Sequence, residues 1–156
     1  MPGSEPFFGV PGYQPDGSVR YDDGDSPRLT FTPQTAGNRR TFTYSVWFKL
    51  GNIDGSSRLM TAQTGSGTPF FTIDVFQDAE SDSRGIRVNS AISSDELMLI
   101  TNGRMRDVAS WYHLVVAIDT TQGTAANRAK VYLNGTQLTD FATETYCDQN
   151  YQTNVS

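Results

Sequence analysis

The chain has 156 residues, about the size of one ordinary domain; 37% of the residues are hydrophobic and only 19% are charged. Thr, Ser, Asn, Gln and Gly are common instead, a composition that favours a β-protein with polar faces over a helical protein. The formal net charge is −5 and the sequence has no Lys/Arg cluster, so we expect no nucleic-acid binding.

Residues 1–16 are rich in Pro and Gly and carry Phe7 and Phe8 among them. Proline at this density excludes a helix or a central strand, so we predict an extended arm over 1–16 and a β-sandwich over 17–156. The aromatic side chains suggest that the arm lies against another surface, which makes Phe7 and Phe8 candidate subunit contacts. The N-terminus lacks a secretory signal and no run of apolar residues is long enough to span a membrane, so we expect synthesis in a cytoplasm without membrane insertion.

An Asp-rich turn separates two short predicted strands, at 19–21 and 29–31. Asp22, Asp23 and Asp25 surround Gly24 and offer the hard oxygen ligands that calcium prefers. The spacing lacks the later bidentate Glu of an EF-hand loop, and Asp is common in turns because its side chain bonds its own backbone. We therefore expect no cofactor, and we keep the three Asp residues as weak calcium candidates.

Residues 41–50 alternate strictly between apolar and polar side chains, which predicts a half-buried antiparallel strand. Trp47 is the exception, because it is a large aromatic residue on the polar face. One interpretation is an aromatic platform that binds a sugar between Thr43, Ser45 and Lys49. The other is that Trp47 packs under the N-terminal arm or against a neighbouring subunit.

The rest of the chain predicts short strands separated by turns, which is typical of an antiparallel sandwich. The predicted strands cover 57–62, 70–76, 85–92, 96–101, 111–119 and 128–134. Ser93 to Glu96 resemble a helix-capping box, but the apolar run that follows is so short that we predict a strand. Asn134 and Gly135 predict a tight hairpin turn, because both residues tolerate positive φ. The shared parity of consecutive strands predicts a core of Phe42, Tyr44, Val46, Phe48, Leu114, Val116, Ile118, Val131 and Leu133.

Catalytic chemistry has little support in the sequence. Asp78, Glu80 and Asp82 alternate as they would on a strand face, but their Ser, Asp and Arg neighbours favour a solvated hairpin tip over a metal site or a glycosidase pair. His113 is the single histidine and has no nucleophile motif nearby, so we interpret it as a strand residue on the side of Trp111 and Val115. Cys147 is the only cysteine, so we predict a free thiol.

Three stretches carry a family likeness: FTYSVWFK, SWYHLVVAIDTT and NRAKVYLNGTQLTDF. Over about residues 17–150 the chain resembles the laminin G-like or concanavalin A-like jelly roll, an all-β antiparallel sandwich. With the phrases DGDSP, AGNRRTFT and WYHLVVAIDTT, it looks closer to a branch found in bacteriophage tail-fibre and related virion structural proteins. That branch usually continues with further closing strands, so the resemblance implies either a fragment truncated at the C-terminus or an open sheet edge that another chain completes.

The resemblance implies a non-enzymatic virion structural protein, used in a tail fibre or another surface appendage for assembly and for attachment to host-surface glycans. We therefore expect a homo-oligomer, with a trimer favoured, in contact with other virion proteins and located in the virion. The alternative is a carbohydrate-binding module of a secreted or cell-surface protein.

Overall fold

The computed structural model of the protein describes residues 28–35, 37–51, 55–63, 67–77, 84–103 and 105–155. The chain divides into two compact units, Met1–Thr32 and Pro33–Ser156. Several predictions fall outside the described residues: the arm over 1–16, the strand at 19–21, Phe7, Phe8, Asp22, Asp23, Asp25, Asp78, Glu80 and Asp82. Those predictions remain predictions.

The second unit is an antiparallel sandwich of two sheets, as the sequence predicts. Its described strands are β1 (Thr41–Lys49), β2 (Ser57–Gln63), β3 (Phe70–Gln77), β4 (Arg84–Ala91), β5 (Asp95–Thr101), β6 (Trp111–Asp119), β7 (Ala129–Leu133), β8 (Thr136–Leu138) and β9 (Phe141–Thr145). The described strands form a four-stranded sheet of order β1-β6-β7-β8 and a five-stranded sheet of order β2-β3-β4-β5-β9. No helix among the described residues is long and apolar enough to cross a membrane.

Strand β6 lies at the centre of the four-stranded sheet, with β1 on one side and β7 on the other. Val46 pairs with Leu114, which pairs in turn with Leu133. The apolar residues that the sequence places on one face of each strand therefore lie side by side in the observed register. The predicted core is confirmed: some of its members are buried and the others are half-buried. Buried members are Phe48, Leu114, Val116, Ile118 and Val131, and half-buried members packed against them are Phe42, Tyr44, Val46 and Leu133.

The five-stranded sheet supplies the other half of the core. Its fully buried apolar side chains are Phe71, Ile73, Val75, Ile86, Val88, Leu97 and Leu99. The Phe42 and Phe71 rings meet edge to face across the sandwich, with centroids 5.5 Å apart. Burying each large apolar side chain stabilises the fold by about 1.5–3 kcal/mol, so these two layers hold the sheets together.

The Asn134-Gly135 hairpin is confirmed. Leu133 pairs directly with Thr136, which leaves a two-residue turn between β7 and β8. Both turn residues have positive φ, 50° for Asn134 and 81° for Gly135, as this kind of tight turn requires.

The predicted strand at 29–31 is wrong, because residues 28–33 form no strand. Leu29 and Phe31 are 75% and 86% exposed, so their alternation buries no face, and Pro33 beyond them has no N–H to donate to a ladder. Strand β9 was not predicted, because Phe141 is the only large apolar residue in it.

The turn before β5 shows whether Ser93 to Glu96 open a helix or lead into a strand. Asp95–Thr101 is a strand, as predicted. The Glu96 carboxylate accepts hydrogen bonds from the backbone N–H groups of Ile92, at 2.8 Å, and Ser93, at 3.3 Å. Burial would raise the pKa of Glu96, but these bonds outweigh it and lower the pKa. The acidic residue therefore stabilises a turn that leads into a strand.

The segment 146–155 ties the two sheets together at one end of the sandwich. The Thr153 N–H donates to the Arg39 carbonyl next to β1, at 3.1 Å, while Asn154 Nδ2 donates to the Ala91 carbonyl of β4, at 3.0 Å. Cys147 in this segment is a free thiol, as predicted, and it is buried. Burial raises the pKa of the Cys147 thiol, which keeps it protonated and unreactive.

Candidate functional site

The four-stranded sheet turns one face to the core and the other outward, because side chains alternate along each strand. The outward positions, called the outer face below, are Thr41, Thr43, Ser45, Trp47, Lys49, Trp111, His113, Val115, Ala117, Asp119, Lys130, Tyr132 and Gln137. His113 lies on the side of Trp111 and Val115, as predicted.

Trp47 and His113 are directly paired on β1 and β6, and their rings are stacked. The ring centroids are 4.6 Å apart and the planes differ by 11°. His113 Nε2 lies 2.9 Å from Ser45 Oγ, a hydrogen bond that fixes the imidazole in the plane of the stack. Trp47 is nevertheless 63% exposed, so the indole is held in place while much of its surface stays open to solvent.

The hairpin turn between β7 and β8 supports this pair from the other side. Asn134 Oδ1 accepts a hydrogen bond from the His113 backbone N–H at 2.8 Å, and the Asn134 N–H donates to the His113 carbonyl, also at 2.8 Å. The left-handed turn residue thus anchors the strand position that carries the imidazole. The stack therefore rests on backbone contacts as well as on side chains.

Trp111 extends the aromatic surface toward one end of the sheet. It is 61% exposed and pairs with Lys49, so it is the diagonal neighbour of Trp47. Diagonal neighbours in an antiparallel pair lie about 7–8 Å apart, within reach of one ligand. We call Trp47, Trp111 and His113 the aromatic surface.

A shallow polar depression of about 370 Å³ lies at the other end of the outer face. Its polar lining consists of Thr43, Asp119, Gln122, Asn127 and Lys130. Hydrogen bonds from Thr121, and then from Gln122, lower the pKa of Asp119, so the carboxylate is ionised at neutral pH. The depression therefore presents a carboxylate, an ammonium and two amides together.

Arg128 holds the loop that forms one wall of the depression. Its guanidinium donates to the carbonyls of Gln122 and Gly123, each at 2.9 Å, and to the carbonyl of Cys147 at 2.7 Å. Three bonds from one planar group fix the loop against the segment that follows β9. These bonds hold the wall of the depression in place.

The five-stranded sheet has a different outward surface, which carries an ion pair. The Arg87 guanidinium makes two bonds to the fully buried Asp74 carboxylate, at 3.0 and 2.6 Å, and it lies 4.3 Å from the centroid of the Phe76 ring. Asn89 Oδ1 is buried and has no hydrogen-bond partner among the residues that the structure describes. The two exposed tryptophans and the depression both lie on the other sheet, so its outer face is the better candidate site.

Only part of this candidate site was predictable from the sequence. The candidate site contains Trp47, as the interpretation of Trp47 as a sugar-binding platform requires. Trp111 was named only as a neighbour of His113, and the depression was not predicted at all. Parity alone shows that Trp111 and His113 share a face, but nothing in the sequence states that β1 pairs with β6 in the register that brings Trp47 beside them.

No three His, Cys, Asp or Glu side chains come together as a metal site within the part of the chain that the structure describes. The model of the concanavalin A-like lectin/glucanases superfamily matches residues 23–155. Comparisons with curated proteins and with solved structures found no significant match.

Proposed function

The chain belongs to the concanavalin A-like lectin/glucanases superfamily, and from that premise we propose that it is a non-catalytic domain that binds glycans on its outer face. The observation that carries this proposal is the pair of tryptophans on that face, 63% and 61% exposed. Soluble domains rarely display large aromatic side chains together unless the surface binds something. Sugar rings are apolar on their faces and polar at their edges, and the aromatic surface with its Ser45, Lys49 and His113 neighbours has matching chemistry.

Binding without catalysis is the form of this function that the outer face supports. Glycoside hydrolysis needs two carboxylates flanking the scissile bond. Among the described strand residues of the outer face, Asp119 is the only carboxylate, and it is already bonded to Thr121 and Gln122. Asp78, Glu80 and Asp82 stay a predicted hairpin tip, and replacing all three by their amides should leave binding unchanged.

We further propose a virion appendage, such as a tail fibre, as the setting for this binding. The support is the resemblance of the phrases DGDSP, AGNRRTFT and WYHLVVAIDTT to virion structural proteins. A carbohydrate-binding module of a secreted or cell-surface protein is the alternative. Capsid, portal or tail genes next to the coding sequence would support the virion, and a catalytic domain encoded in the same reading frame would support the module.

The aromatic surface is tested by affinity electrophoresis of the protein through gels that contain bacterial surface polysaccharides, glucans, xylans or mannans. We expect at least one polysaccharide to retard the wild type and Trp47→Ala to lose most of that retardation. Trp47→Phe should keep part of it, because a smaller ring still stacks. Ile92→Ala removes an exposed apolar side chain outside the outer face and should behave as the wild type.

The competing interpretation of Trp47 gives a different result. If Trp47 packs against a neighbouring subunit, Trp47→Ala would lower the oligomeric state while leaving the retardation intact. That outcome, or the absence of retardation by every polysaccharide in the set, would contradict the proposed function.

A further inference from the structure

The aromatic surface and the polar depression lie on one continuous face. Trp47 pairs with His113, and four residues away along β1 Thr43 pairs with Ala117 at the edge of the depression. At about 3.4 Å per residue, the two sites are roughly 14 Å apart along the strand. A single sugar ring cannot contact both.

Polar groups connect the two sites. Between them lies the cross-strand row formed by Ser45 on β1, Val115 on β6 and Tyr132 on β7. Ser45 is exposed, with its hydroxyl group bonded to His113, and Tyr132 is half-buried. A hydroxyl group both donates and accepts, so Ser45 keeps capacity for a further bond to a ligand that lies on the sheet. The face is therefore a strip that runs parallel to β1 and β6, with hydrogen-bonding groups along its length.

The charges of the depression select among polymers. Asp119 and Lys130 are opposite charges that line the same small space, and the two amides of Gln122 and Asn127 add neutral donors and acceptors. An anionic ligand would meet Asp119, and a cationic ligand would meet Lys130. Asp119 and Gln122 already bond to each other, so Asn127 and Lys130 are the side chains of the depression to which the hydroxyl groups of a neutral chain would bond.

We infer that the outer face binds a neutral, linear oligosaccharide that lies along β1 and β6, with one sugar stacked on the aromatic surface and a later sugar held in the depression. This inference rests on the proposed function and adds to it the ligand class, its direction and its minimum length. Asn127 and Lys130 are the residues that make longer chains bind more tightly than short ones.

The test uses oligosaccharides of two to six sugars prepared from each neutral polysaccharide of the panel, with binding measured by titration calorimetry on the full chain. We expect the hexamer to bind at least about tenfold more tightly than the dimer, the gain from one or two added hydrogen bonds. The double variant Asn127→Ala, Lys130→Met should lose that gain and leave dimer binding unchanged. The control Lys49→Met removes the lysine beside Trp111 and should affect dimer and hexamer equally.

The outcomes separate the inference from the proposed function. Equal affinities for the dimer and the hexamer, with no effect of the double variant, would overturn the inference. In that case, loss of dimer binding and hexamer binding in Trp47→Ala would still support the aromatic surface as a binding site. Preference for acidic fragments that disappears in Lys130→Met would also overturn it, because it would show that the depression selects a charge. If no fragment binds, the proposed function fails and the inference fails with it.

Discussion

His113 shows how a residue is placed by its neighbours more than by its own chemistry. Its ring is stacked on Trp47, its Nε2 is hydrogen-bonded to Ser45, and its backbone is bonded on both sides to Asn134. Sequence reasoning placed it correctly on the side of Trp111, because parity along one strand is local information. The stack depends on pairing between strands more than sixty residues apart, which no local pattern specifies.

Side chains of β6 alternate between the core and the outer face, so substitutions at two adjacent positions should have opposite effects on folding. Val116 is fully buried, so Val116→Asp places an unpaired charge in the core, which costs several kcal/mol against a total stability of about 5–15 kcal/mol. We expect that variant not to fold. Val115→Asp, one residue away on the outer face, should change the free energy of unfolding by only about 0.5 kcal/mol.

Circular dichroism and thermal melting of both variants check this register. A soluble Val116→Asp protein with a cooperative transition would contradict it, as would a Val115→Asp protein that does not fold.

At the scale of elements, the strands with strong alternation were predictable and the weak elements were not. The observed β6 and the sequence prediction share the bounds 111–119, since that run is long and regular. Strand β9 has one large apolar residue, and β3 is buried on both faces, with Asp74 and Thr72 buried opposite Ile73 and Val75. The alternation that marks a half-buried strand does not identify β9. Strand β3 was predicted, over 70–76, although burial on both faces removes the polar side of its pattern.

The loop before β7 is the element whose stability matters most for the site. Arg128 donates to three backbone carbonyls, and Arg128→Ala would leave them without that donor. We expect the free energy of unfolding to fall by about 1–3 kcal/mol. Arg128→Lys should recover little of that loss, because an ammonium lacks the planar fork that reaches three acceptors.

Urea denaturation measures these differences, with the exposed Arg106→Ala as the matched control. Arg128→Ala and Arg106→Ala variants of equal stability would show that the three bonds do not hold the loop.

For the whole molecule, the proposed homo-oligomer follows from the edges of the sheets. Of the described strands, β1 and β8 end one sheet and β2 and β9 end the other, and an edge strand is a site where a second chain can pair. We expect a trimer at micromolar concentration. Deleting residues 1–16 should weaken the association while the sandwich stays folded, because the predicted arm carries Phe7 and Phe8 outside the strands.

Light scattering with a parallel thermal melt checks the assembly. A wild-type protein that is a monodisperse monomer with a complete melting transition would contradict it. A deletion variant that assembles as well as the wild type would remove the arm from the interface.

The fold class, the core of the four-stranded sheet and one tryptophan of the site were predictable from sequence, since each depends on local periodicity or on the family likeness. The depression was not, because it is built by residues of β1, β6, β7 and the loop held by Arg128, which meet only in the folded chain. A face assembled from three strands and a loop depends on register, and register is fixed by tertiary packing.

The most direct test of the account is the location of the bound glycan. Backbone amide shifts of isotope-labelled protein would be followed by nuclear magnetic resonance while an oligosaccharide from a retained polysaccharide is added. We predict saturable shifts of the Trp47, Trp111 and His113 amides, while the amides of Arg87 and Asn89 on the five-stranded sheet keep their shifts unchanged. Shifts confined to the five-stranded sheet would contradict it.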